Sequence, residues 1–277
     1  MFGSSVVLFL LIRKVSLSGV PVQFNNLAMF AVPTAAFAII AVAQHASLAI
    51  TWQQGGFLLF TGVILAYAGN SMSLRSIELA PNPGYSLVIA KSYVVLTTFL
   101  AVPFFGAHLS WQALVAIAMI LFSSALILIN HRKGEHAKSK AWLPLALGSF
   151  VAWAFLSLAA KYAVETGMPI VTFIFYFFLV VVACILIEMR VQRVSLNEVR
   201  QRSGWFLLIG LASTGFNFFN FYAISIAPNV GYVNATNAAS VGVVTVFAIL
   251  LFKDEFLWRK LAGVLGVIAG LFFLFLG

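Results

Sequence analysis

"LAPNPGYSLV" at residues 79–88 and "IAPNVGYVNA" at residues 226–235 are two copies of one phrase, Ala-Pro-Asn-x-Gly-Tyr, 147 positions apart. The agreement runs outward at the same offset: Asn70 matches Asn217, Gly84 matches Gly231, Tyr85 matches Tyr232 and Trp111 matches Trp258. Nearer the start the offset becomes 148, pairing Arg13 with Lys161, Gly19 with Gly167 and Pro21 with Pro169. A fixed period over this much chain marks an internal duplication.

Composition says what is duplicated. Apolar residues make up 62% of the 277, charged residues 8%, and mean hydropathy is +1.06, whereas about a quarter of the residues of a soluble domain are charged. A helix crossing a bilayer needs roughly 20 apolar residues. Apolar runs fall at residues 2–12, 26–44, 55–74, 84–105 and 110–130, and again at 142–160, 170–187, 205–224, 231–252 and 258–275. The expected fold is therefore an all-α integral membrane protein of ten transmembrane helices. A five-helix repeat over residues 1–130, a polar linker over 131–140 and a second repeat over 141–277 divide it, with short turns joining antiparallel neighbours. The first run is shorter than its counterpart, which leads us to expect a true start upstream of Met1, the alternative being a span completed by tilt and bilayer thinning. Arg13 and Lys14 follow that run rather than precede it, so no cleavable secretory signal is expected.

An odd number of spans per copy sends the second copy through the membrane in the opposite sense, so the repeats are expected to be inverted. Loop charges agree. Residues 45–54 hold no Lys or Arg, while the equivalent loop holds Arg190, Arg193, Arg200 and Arg202. Of the 16 basic residues, fourteen fall on the odd-numbered loops, Lys161 on an even-numbered one and Lys91 inside a span. The positive-inside rule makes the odd loops cytoplasmic and puts both termini outside. Topology thus accounts for the net charge of +9, and no nucleic-acid partner is expected.

The paired "APNPGY" and "APNVGY" openings resemble the drug/metabolite transporter superfamily, in its ten-helix EamA-like branch, as does "HLSWQALVAIAMILFSSALILI" (108–129) with its echo "FLWRKLAGVLGVIAGLFFLFL" (256–276). Where that branch usually carries Gly-Glu-Arg, this chain reads Gly106-Ala107-His108 and Lys253-Asp254-Glu255. The branch often has cytoplasmic termini, whereas the loop charges here place them outside. The resemblance implies a secondary carrier in the cytoplasmic membrane, with a central cavity opened alternately to each side and no bound cofactor. Export is the direction it suggests.

The residues themselves agree with a carrier. Inverted repeats let one sequence build two access states. There is no P-loop, and no nucleophile elbow, His-Glu-x-x-His pair or paired intramembrane carboxylates. No catalytic residues are assigned and no enzyme is expected. Cys184 has no His or second Cys beside it, so neither a disulfide nor a metal site is expected.

Lys91 stands out, since a charge at that depth costs about 2.5 to 3.5 kcal/mol. It can meet an anionic substrate group or lose a proton in coupling; snorkelling or binding helix-end carbonyls is the structural alternative. Helical spacing puts Val88, Lys91, Val95 and Thr98 on one stripe, Asn234, Asn237, Val241 and Thr245 on another, and Asn217 with Asn220 on a third, with Asn70 and Ser73 their counterparts. Tyr93 and Trp153 lie within spans rather than at interfaces. The candidate substrate-binding set is Lys91, Asn70, Tyr93, Trp153, Asn217, Asn220, Asn234 and Asn237, although each Asn also suits helix-to-helix bonding. Ala262, Gly266 and Gly270 read as a small-residue packing stripe within or between chains, and Arg75 with Glu78 as a helix-end pair.

The expected function is transport of small polar metabolites such as amino acids or other carboxylate-bearing compounds, by a monomer or homodimer in the lipid bilayer. The alternatives are a sugar-phosphate or nucleotide-sugar carrier, a lipid-linked sugar flippase, and a non-transporting membrane scaffold subunit.

Overall fold

The computed structural model describes residues 1–81, 83–129, 139–194, 197–252 and 257–276. The expected linker residues 131–138 and the Lys253-Asp254-Glu255 segment lie outside them. Among the described residues, nine helices are long and apolar enough to cross a membrane, so this is an all-helical, multi-pass membrane protein. The helices are α1 (Phe2–Ser16), α2 (Val22–Ala43), α3 (Trp52–Phe60), α4 (Gly69–Leu79), α5 (Pro83–Lys91), α6 (Tyr93–Phe105), α7 (Trp111–Leu128), α8 (Trp142–Glu165), α9 (Ile170–Val191), α10 (Asn197–Gln201), α11 (Ser203–Ile226), α12 (Val230–Phe252) and α13 (Trp258–Leu276). A π-helical stretch, Thr61–Ala68, joins α3 to α4 in one span, and Ser92 alone separates α5 from α6.

The first of the ten expected spans is the one that falls short: α1 has 15 residues, under the length a crossing needs. Elsewhere helices outrun the apolar stretches. The third span continues to Leu79 through Arg75 and Glu78, because helix hydrogen bonding does not stop where hydrophobicity does. Those two side chains do not pair; Arg75 instead lines a surface groove with Leu79, Ser139 and Pro144.

Helix ends explain several repeated residues. Gly19 and Gly167 hold φ of +73° and +86° after α1 and α8, a conformation glycine adopts without a Cβ penalty. Pro21 and Pro169 then stand at the N-caps of α2 and α9 with φ of −54° and −57°, pre-set for a helix start. Each repeated Gly-x-Pro is thus a stop followed by a start. Thr51 and Gln54 close a capping box on α3. Trp52, Trp111, Trp142 and Trp258 each open a helix, as an interfacial aromatic belt requires.

The chain folds into two compact units, each drawing on both halves of the sequence. The first comprises Met1–Tyr67 and Ala159–Ser225, the second Ala68–Leu158 and Ile226–Gly277.

In the first unit α2 packs against α9, its own counterpart in the sequence repeat. Phe37, Phe177, Phe178 and Phe221 form the core, with ring centroids 6.0 Å apart for Phe37 and Phe178 and 5.4 Å for Phe177 and Phe221. Glycine brings backbones together: a Cβ on Gly62 would meet Val180 Cβ at 2.7 Å. The Thr172 and Tyr176 hydroxyls donate to the Ser47 and Leu48 carbonyls, each at 2.8 Å. They pin the 44–51 connection to α9.

In the second unit α7 packs against α13, again its repeat counterpart. The small-residue stripe works within the chain: a Cβ on Gly263 would meet the Ser123 carbonyl oxygen at 2.7 Å, and one on Gly270 would meet Ile120 Cγ1 at 2.8 Å. Gly266 faces Ser123. Ala262 faces outward, so Gly263 replaces it in the stripe. One residue is a rotation of about 100° on a helix, enough to leave a contact face.

Candidate functional site

The repeated phrase builds the frame. Asn229 is fully buried; its Oδ1 accepts the Gly231 backbone N–H at 2.9 Å and its Nδ2 donates to the Thr98 carbonyl at 3.4 Å. It caps α12 and ties it to α6. Gly231 then rests directly on Thr98, and the Tyr232 hydroxyl donates to the His108 carbonyl at 3.2 Å. The phrase is scaffolding for the start of a span.

One and two turns further along α12 come Asn234 and Asn237, 1% and 8% exposed. The Ser157 hydroxyl of α8 reaches Asn234 Oδ1 at 3.5 Å. Asn234 Nδ2 and Asn237 Oδ1 are sealed from solvent with no hydrogen-bond partner. An orphaned buried polar atom costs about 1–3 kcal/mol, so a donor and an acceptor left open on adjacent turns call for an explanation beyond packing.

Lys91 and Tyr93 flank the break between α5 and α6. Ser92 N–H is shared between the Val88 and Ile89 carbonyls at 3.0 and 3.1 Å, and its hydroxyl donates to the Val88 carbonyl at 2.8 Å. A hydroxyl competing for the helix's own carbonyls bends the chain here. Lys91 Nζ lies 5.9 Å from the centroid of the Trp153 ring, within cation–π range. Its place in the last turn of α5 also suits a cation, because the helix dipole is negative there. The Tyr93 ring meets Trp153 edge-on at 6.0 Å, and the Tyr93 hydroxyl faces the Asn237 side chain.

Gly69 lets α4 lie close against α8 beside Trp153: a Cβ there would meet Ala152 Cβ at 2.8 Å while standing in ordinary contact with the indole, 3.6 Å from Nε1. Asn70 is the next residue along α4. Lys91, Tyr93, Trp153 and Asn237 are therefore linked by direct contacts, with Asn234 one turn from Asn237 and Asn70 beside the seat of Trp153. All belong to the second unit.

Asn217 and Asn220 belong to the first unit. The Asn217 amide donates to the Ser213 carbonyl and hydroxyl of its own helix at 2.8 and 3.0 Å, while Asn220 Oδ1 is buried without a partner. The expected polar stripe on the fourth span does not hold together: Val95 is 37% exposed while Thr98 is buried against Gly231. Sequence reasoning passed over Ser157 and Gly69. The repeat offered no signal for Gly69, since the equivalent position in the second half is Phe216. Among the described residues no cluster of His, Cys, Asp and Glu suits a metal ion.

Comparison with known proteins agrees with this fold. A crystal structure of another protein superposes with a TM-score of 0.76 at 16% identity, over 99% of this chain and 95% of that one. No curated protein matches. Residues 140–276 match the EamA-like transporter family, whose members are transporters rather than enzymes. By that match over its second half, the chain belongs to the EamA-like transporter family.

Proposed function

We propose that this protein is a secondary carrier that moves small, polar, carboxylate-bearing metabolites such as amino acids outward across the cytoplasmic membrane by alternating access. The observation that carries the reading is the Lys91 ammonium held 5.9 Å from the Trp153 ring, at a helix break inside a span. Interrupted spans whose helix ends meet the solute are a recurring device of carrier sites. The ammonium receives the substrate's anionic group. Trp153 and Tyr93 flank an apolar portion, and the open Asn234 donor and Asn237 acceptor take up its remaining polar groups.

The sealed amides correspond to an occluded stage, in which the solute exchanges its water for protein partners. Asn217 and Asn220 belong to the other unit, where Asn217 is engaged within its own helix, and the reading does not use them.

The test compares intracellular and extracellular metabolites in cells expressing the wild type, Lys91→Ala at matched membrane abundance, or neither. A carboxylate-bearing compound that leaves the cell only with the wild type supports the reading. A phosphorylated sugar redistributing in its place would make the anion a phosphate. Equal movement by wild type and Lys91→Ala would end the role given to Lys91, and no difference from empty membranes would favour a scaffold.

A further inference from the structure

Four polar side chains from three segments of the first unit meet at the last turns of α9. The Tyr67 hydroxyl, at the end of the π-helical stretch, donates to Glu188 Oε2 at 3.0 Å. Gln192 Nε2 donates to Glu188 Oε1 at 3.1 Å, and Gln23 Nε2 reaches Glu188 Oε1 at 3.5 Å and Gln192 Oε1 at 2.8 Å. Beside them lies a cavity of about 340 Å³ lined by Tyr67, Cys184, Ile187, Glu188, Val191 and Gln192.

The carboxylate accepts three hydrogen bonds but meets no cation among the described residues. It is half-buried, its partners are three neutral groups, and it stands near the C-terminus of a long helix, where the dipole opposes an anion. Neither α2 nor α3, both packed on α9, carries a charged or titratable side chain. On α11, Tyr222 adjoins Phe221, whose ring meets Phe173 at the far end of α9. Tyr67 and Cys184 are the other titratable residues lining the cavity. Arg190 and Arg193 line a separate groove with Leu186, Met189 and Val194, and Arg202 donates to the Ser18 hydroxyl at 3.0 Å.

We propose that Glu188, Tyr67, Gln192 and Gln23 form a binding site for Na⁺. The carboxylate, the phenol oxygen and the two amide oxygens are hard ligands of the kind an alkali cation takes. Each amide presents either its NH₂ or its oxygen by rotating its terminal bond, so donors that now steady the carboxylate become ligands when a cation arrives. The tie between Tyr67 and α9 then changes, and Tyr67 lies at the end of the π-helical stretch of the third span.

The experiment uses the purified full-length chain in detergent and needs no transported solute, so its outcome is independent of Lys91. Thermal unfolding is followed in NaCl against choline chloride at equal ionic strength. A cation bound only by the folded state raises the melting temperature by a few degrees once it exceeds its dissociation constant by about tenfold. The wild type is expected to show this rise in NaCl and Glu188→Gln to lack it. Equal behaviour of the two proteins in the two salts overturns the site. If Glu188→Gln does not fold, Tyr67→Phe substitutes: the midpoint in Na⁺ concentration shifts about threefold or more if Tyr67 is a ligand, and an unchanged midpoint overturns the proposal.

Discussion

Gly231 touches Thr98 so closely that a Cβ on the glycine would lie 2.7 Å from the Thr98 Cα. That atom belongs to the backbone of α6 and cannot swing aside like a side-chain tip. The glycine of the repeated phrase therefore sets how near α12 approaches α6, and with it the position of Asn234 one turn on.

Gly231→Ala is expected to destabilise. Replacing a helical glycine by alanine gains about 1 kcal/mol of propensity, but forcing the two backbones apart costs about 1–3 kcal/mol. The control is Gly56 in α3, where a Cβ would meet nothing within 4 Å. Thermal unfolding in detergent should rank Gly56→Ala at or above wild type and Gly231→Ala below it.

Asn229→Ala should also destabilise, by about 1 kcal/mol for the lost cap and more for leaving the α6 end untied. Asn229→Asp keeps the acceptor for Gly231 N–H but turns a carboxylate oxygen toward the Thr98 and His108 carbonyls at a fully buried position, where an unpaired charge costs more than a missing donor. Its unfolding temperature is expected at or below that of Asn229→Ala.

Lys91 and Trp153 should behave as one unit in transport. A cation–π contact is worth about 0.5–2 kcal/mol depending on desolvation, so Trp153→Leu should slow transport several-fold while Lys91→Ala slows it far more. In the background of Lys91→Ala, Trp153→Leu should add little. Independent, additive effects in that cycle would mean the two residues serve different steps.

Much of this was legible in the sequence. The offset of 147 located the repeat, and hydropathy located the crossing helices because lipid forces every backbone group into internal bonds. Lys91 was legible as a charge where charges are costly. Its partner was not: the contact between Lys91 and Trp153 joins helices from the two halves of the chain, at a separation no periodicity reports. The break at Ser92 was equally hidden, since "AKSYVV" is compatible with a continuous helix. Thr98 proved to be a packing residue against Gly231, a close approach that spacing along one helix does not report. The choice of Ala262 over Gly263 failed by a single position, a difference decided by which face α7 occupies.

Asn237 provides the sharpest contrast between holding the fold and serving a solute. Its Oδ1 is buried without a partner, and Asn234 Nδ2 is in the same condition. If these amides only tied helices together, Asn237→Leu would remove useful bonds and lower stability. If they are kept for a transient ligand, the unliganded protein carries their desolvation cost, and an apolar side chain of similar volume relieves it. Asn237→Leu is then expected to unfold at or above the wild-type temperature while transport falls by tenfold or more, that is by about 1.4 kcal/mol of lost binding. Losing the Asn237 side chain also frees the Tyr93 hydroxyl that faces it, so Asn237→Leu combined with Tyr93→Phe should recover any stability lost to that hydroxyl without restoring transport. Unfolding curves and efflux measured on the same preparations decide between the two readings. A variant that is both less stable and fully active would make Asn237 part of the frame.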